Sequence, residues 1–118
     1  MNVAEDPNLK AIIDEKRYTV AAFYQFVSLN NIKHLQAELK KLCQKYEIFG
    51  TILLAREGIN GTVSGSQSSV NSLFKWFDHQ PSFHDIQVKY SNSNSLAFNR
   101  LKVRIKKEIV TMGETDID

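Results

Sequence analysis

At 118 residues, 42% of them hydrophobic, the chain has apolar material for one core and not for two. Its formal net charge of +2 names no partner by itself, and a single cysteine rules out an internal disulfide framework and fits a reducing compartment. There is no run of about 18 apolar residues that would make a transmembrane helix, and the opening MNVAEDP lacks both the basic start and the apolar block of a signal peptide.

In chain order, residues 7–16 begin like a short helix, with Leu9, Ile12 and Ile13 on one side. Residues 19–27, TVAAFYQFV, are β-branched and aromatic on both alternating faces, as a central strand would be. Asn30 or Asn31 stands where a cap is needed for a helix over 32–46. There Ile32, Leu35, Leu39, Leu42 and Tyr46 form one stripe at spacings of three and four, and Lys33, His34, Glu38, Lys40, Lys41 and Lys45 cover the other faces. Two strands follow, over 48–55 and 59–64. Ser66 or Ser68 then caps a second helix built on Val70, Leu73, Phe74 and Phe77, and Pro81 marks its end. Ile86, Val88 and Tyr90 alternate with Gln87 and Lys89, which predicts a strand over 85–91 with one wet face. A polar loop at 91–95 leads to a last strand over 101–105.

The order is β-α-β-β-α-β, the split βαβ or ferredoxin-like arrangement, also described as acylphosphatase-like, with one basic strand added. This is an α+β fold with both helices on one face of an antiparallel sheet and the other face partly open.

Two segments carry most of the functional signal. In ILLAREGINGTVSG, residues 52–65, an apolar run ends in a charged, glycine-bearing tip and a polar-alternating run leads away. Gly58 and Gly61 tolerate positive φ, and Asn60 suits a turn, so a hairpin explains those three residues. It leaves Arg56 and Glu57 unexplained except as a solvated tip or a site. The second segment is residues 100–107, with five basic residues and no acid. Along that strand Lys102, Arg104 and Lys106 share one face while Leu101, Val103 and Ile105 share the other, and Arg100 and Lys107 flank the row. Cations about 7 Å apart match successive phosphates of a nucleic-acid backbone, and they equally suit a sheet edge guarded against aggregation.

Catalytic constellations are poor. Cys43 flanks the apolar stripe of the first helix, the pattern of an inert small hydrophobe. His34 sits on a charged helix face, and His79 and His84 straddle Pro81 without a recognised zinc spacing, so no metal site is expected. Phe23, Tyr24 and Phe26 read as core and sheet cover, because the third strand has no aromatic to complete a base-stacking pair. An acylphosphatase needs a glycine-rich first loop and an arginine to cradle phosphate. The loop here is Ser28-Leu29-Asn30-Asn31, which argues against that hydrolase.

LLAREGINGTVSG, followed some forty residues later by LKVRIKKEIVTMG, resembles the amino-terminal domain of the rhodanese-type, oxygen-dependent tRNA uridine hydroxylases. Many of those proteins have His where this chain has Arg56. The resemblance implies a cytoplasmic tRNA-modifying enzyme that hydroxylates the wobble uridine at C5 with dioxygen as co-substrate. It places the nucleophilic cysteine in a rhodanese domain that this chain lacks, so no catalytic residue, metal or cofactor is expected here. Residues 1–18 are then an N-terminal extension, 19–113 the ferredoxin-like domain, and 114–118 the start of a linker. The expected partners are tRNA and the rhodanese domain of the same polypeptide, with no membrane. Arg56, Glu57, Gly58, Asn60 and Gly61 are the substrate-proximal candidates, and Arg100, Lys102, Arg104 and Lys106 the phosphate candidates. A non-catalytic interdomain scaffold or a stand-alone nucleic-acid-binding module is the alternative.

Overall fold

In a computed structural model, described for residues 18–107, five strands and two helices follow the expected order. They are β1 (Tyr18–Phe26), α1 (Ile32–Lys45), β2 (Phe49–Ala55), β3 (Gly58–Ser66), α2 (Gln67–Asp78), β4 (Gln87–Ser93) and β5 (Leu101–Ile105). The helix expected over 7–16 lies outside the described residues.

Each helix forms because its apolar residues recur at helical spacing and its ends are satisfied. On α2 the buried Val70, Leu73 and Phe77 face the sheet, and the Ser66 hydroxyl accepts the Ser69 N–H at 3.2 Å, the capping bond expected of that serine. On α1, Leu39 and Cys43 are buried. Asn31 occupies the N-cap position, but in a left-handed conformation with φ 54° and no side-chain capping bond, so its contribution is the backbone carbonyl that accepts from Leu35. At the other end Glu47 takes φ 54°. The Glu47 N–H reaches the Gln44 carbonyl and the Ile48 N–H reaches Cys43, a reversal that lets the chain turn directly into β2.

The sheet order is β4-β1-β3-β2-β5. All neighbours are antiparallel except β2 and β5, which run parallel, so the sheet is mixed rather than wholly antiparallel as the sequence suggested. The reason is where the chain crosses. β4 ends beside Tyr18, the first residue of β1, and β5 begins beside Gly50, near the start of β2. The connection over 94–100 therefore passes along one end of the sheet and enters β5 in the same direction as β1 and β2.

Pairing register sorts the side chains into two faces. Val88, Phe23, Gly61, Ile52 and Val103 lie in one row across all five strands, on the helix side. Phe23 is fully buried there, with Phe74 and Phe77 at centroid distances of 5.4 and 5.6 Å, and Phe77 extends the cluster to Phe83 at 5.1 Å. Tyr24 and Phe26 point the other way, and Phe26 is 52% exposed. Of the rings expected as core and sheet cover, Phe23 is the core one, and Tyr24 and Phe26 lie on the opposite sheet face.

Candidate nucleic-acid interface

The hairpin tip is shorter than the glycines suggested. Ala55 pairs with Gly58, so only Arg56 and Glu57 form the connection, and both are exposed. Gly58, Asn60 and Gly61 belong to β3 rather than to the tip. Of the two glycines able to take positive φ at a turn, Gly58 has it, at +152°. Gly61 does not, and is glycine for a different reason. A Cβ there would stand 2.7 Å from Phe23 Cζ and 2.9 Å from the Thr51 carbonyl oxygen.

The tip is held by the β1–α1 connection, where the Val27 N–H donates to the Glu57 carbonyl and the Leu29 N–H to that of Arg56, both at 2.9 Å. These bonds also occupy two amides of the very loop that an acylphosphatase would keep aimed at phosphate. Arg56 then lines an open groove of about 740 Å³ together with Leu29, Ile105 and the start of α1. Lys33 and His34 add to its rim, His34 pairing with Glu38 at 2.7 Å.

Asn60 goes elsewhere. In register, Gln87, Tyr24, Asn60, Leu53 and Arg104 form one row across the face away from the helices, and Lys89, Ala22, Thr62, Thr51 and Lys102 form the next. Asn60 and Arg104, 44 positions apart, are thus two strand spacings apart, about 10 Å. The structure therefore unites Asn60, Lys102 and Arg104 on one face, turns Gly61 to the core, and separates Arg56 into the groove. Arg100 stands at the entry to β5, its carbonyl accepting the Gly50 N–H at 2.8 Å, and with Lys102 it borders a shallow depression of about 380 Å³. The Lys106 N–H donates to the Leu54 carbonyl at 2.7 Å, extending the β2–β5 ladder beyond the strand.

Sequence reasoning missed Lys89, which sits on the opposite edge of the same face. Its alternation with Val88 and Tyr90 was visible; that its row ends at Lys102 required the register. No described strand carries an Asp or Glu. The acids among the described residues, Glu38, Glu47, Glu57, Asp78 and Asp85, all lie on helices or connections. The described strands thus bring cations to both edges of the face opposite the helices and no acid, with Glu57 and Asp85 in the connections at the end where β1 finishes.

Cys43 has no exposure, and burial pushes its thiol up to about 12, far from the range of an active nucleophile. His79 and His84 are exposed, the former with Nδ1 2.7 Å from the Lys75 carbonyl oxygen. Among the described residues, no three His, Cys, Asp or Glu side chains gather in a metal-binding arrangement. No described helix is long and apolar enough to cross a membrane.

Comparison with known proteins agrees with this architecture. A tRNA uridine(34) hydroxylase of Bartonella bacilliformis is 47% identical over 104 residues, which is 88% of this chain and 34% of that protein. One of Rhizobium leguminosarum bv. trifolii is 45% identical over 101 residues, 86% of this chain and 33% of that protein. The chain thus spans about a third of the length of these curated relatives. Among solved structures, BlrB, a BLUF protein in its dark state, is similar with a TM-score of 0.60 at 15% identity, over 79% of this chain and 74% of that one. Klebsiella pneumoniae BlrP1 with FMN and cyclic diGMP reaches 0.62 at 17% identity, over 77% of this chain and 25% of that one. At such identity these two share the fold alone. The family described as UPF0176 acylphosphatase like domain matches residues 18–109, and the chain belongs to that family.

Proposed function

We propose that this domain is the amino-terminal, tRNA-contacting part of an enzyme that hydroxylates the wobble uridine of tRNA at C5 with dioxygen, working in the cytoplasm. The observation that carries the reading is the sheet face to which the described strands bring no acid, with Lys102 and Arg104 at one edge and Lys89 at the other. Guarding an edge strand does not require cations aligned on a single face, whereas neutralising phosphates does. The name shared by relatives 45–47% identical over most of this chain supplies the substrate class.

In this reading the domain holds tRNA, and the reacting groups belong to a rhodanese domain contributed by the rest of the polypeptide. Arg56, Glu57, Gly58 and Asn60 lie at the end of the sheet nearest the substrate, while Gly61 faces the core against Phe23. The chain should bind tRNA with an affinity that falls steeply as salt rises. In a Lys102→Gln/Arg104→Gln variant the log–log salt slope should shrink by roughly 1.5 to 2, the yield of two lost phosphate contacts. An unchanged slope would return the basic strand to the role of edge guard and favour an interdomain scaffold.

A further inference from the structure

The open face carries rings as well as charge. Tyr24 and Phe26, two positions apart on β1, stand on the side away from the helices with centroids 6.3 Å apart. Phe26 is one of the most exposed large apolar residues described, at 52%. It pairs with Gly58, which offers no side chain to cover it, while Tyr24 has Asn60 as its neighbour on β3. In their shared row, Tyr24 and Arg104 stand three strand spacings apart, about 14 Å. The next row runs from Lys89 to Lys102.

We infer that this face is a platform for an unpaired RNA segment of two or three nucleotides, with a base stacked on Phe26 and its neighbour against Tyr24. The inference deepens the tRNA reading and rests on it for the identity of the RNA.

The chemistry follows from the arrangement. Rings on a sheet face stack unpaired bases because every base has a π-face, and bases within a duplex are not available for it. Cations at both edges suit a backbone that crosses the strands, and the lack of any acid within the described strands limits the repulsion that a polyanion would meet to the Phe26 end, where Glu57 and Asp85 stand in the connections. The arrangement differs from an RNA-recognition motif in having both rings on one strand, so the segment stacks along β1 rather than across β1 and β3.

The test measures binding of a short oligouridylate, single-stranded or annealed to oligoadenylate, to the chain and its variants. Single strand should bind more tightly than duplex. Phe26→Ala should weaken single-strand binding roughly 5- to 100-fold, the range for losing one stacked base, without altering the salt slope. Phe26→Trp should restore affinity, and its added indole emission should be quenched by the oligonucleotide. Equal affinity for duplex, a silent Phe26→Ala, or an indole that RNA leaves unquenched would each overturn the platform. So would sedimentation showing a dimer that Phe26→Ala dissolves, because the face would then belong to a second copy. If Phe26→Ala is silent while the salt slope still responds to Lys102→Gln/Arg104→Gln, the platform fails and the tRNA reading stands. If oligouridylate binding depends on Phe26 but tRNA does not bind, the platform stands and the tRNA reading fails.

Discussion

Replacing Gly61 by alanine adds one methyl group where β3 crosses the centre of the core. The new Cβ would lie 2.7 Å from Phe23 Cζ and 2.9 Å from the Thr51 carbonyl oxygen, closer than carbon tolerates. The carbonyl is part of the β2–β3 ladder and does not move freely. Phe23 has no exposure and packs against both Phe74 and Phe77, so moving its ring disturbs their packing. Overpacking of this kind costs about 2 kcal/mol, within a usual range of roughly 1–3. For a domain of this size that is a fall in melting temperature of roughly 8–16 °C. Urea and thermal unfolding followed by circular dichroism should show it. Phe23→Leu shortens the obstructing ring, so in a double-mutant cycle the two changes should couple favourably by about 1 kcal/mol. Gly65→Ala is the control, since its Cβ meets Ile48 Cγ1 at 3.3 Å, which a small shift relieves. The reasoning fails if Gly61→Ala costs under about 0.5 kcal/mol, or if Phe23→Leu leaves its cost unchanged.

Glu47 holds a left-handed conformation at the C-terminus of α1, so Glu47→Gly should stabilise the domain by about 0.5–1 kcal/mol in urea unfolding, where Gly mid-helix would do the opposite. The Ser64 hydroxyl is fully buried without a hydrogen-bond partner among the described residues, so Ser64→Ala should leave the melting temperature unchanged or raise it; a clear loss would mean that the hydroxyl is bonded after all. Burial raises the Cys43 thiol from 9.0 to about 12, so the native thiol should resist alkylation at pH 9. The unfolded chain releases that proton first, so wild type should lose stability relative to Cys43→Ala as pH rises between about 9 and 12. Parallel stability curves for the two proteins over that window would contradict the assignment.

Much of the fold was legible because its signals are local. Spacings of three and four fixed both helices, and alternation located every strand to within about two residues; the range 101–105 matched β5 at both ends. The Ser66 cap was legible for the same reason, since the serine and the amide it accepts are three residues apart. The burial of Cys43 followed from its place beside the apolar stripe.

What the sequence did not contain in readable form was pairing. Gly61 looked like a turn glycine because Phe23, 38 positions earlier, is not its neighbour until β1 and β3 align. Asn60 and Arg104 appeared as separate signals, and Lys89 only as one polar position of a half-wet strand, until register set them on one face. The tip that read as one unit was divided, Arg56 to the groove beside α1 and Asn60 to the open sheet. A strand's pattern says which residues share a side, but which side faces water, and which residue of another strand stands alongside, is decided by packing two helices on the sheet and by the path of the chain between strands. Those are long-range choices, made by burial of the whole core, and on them depends the face that this domain offers to its partners.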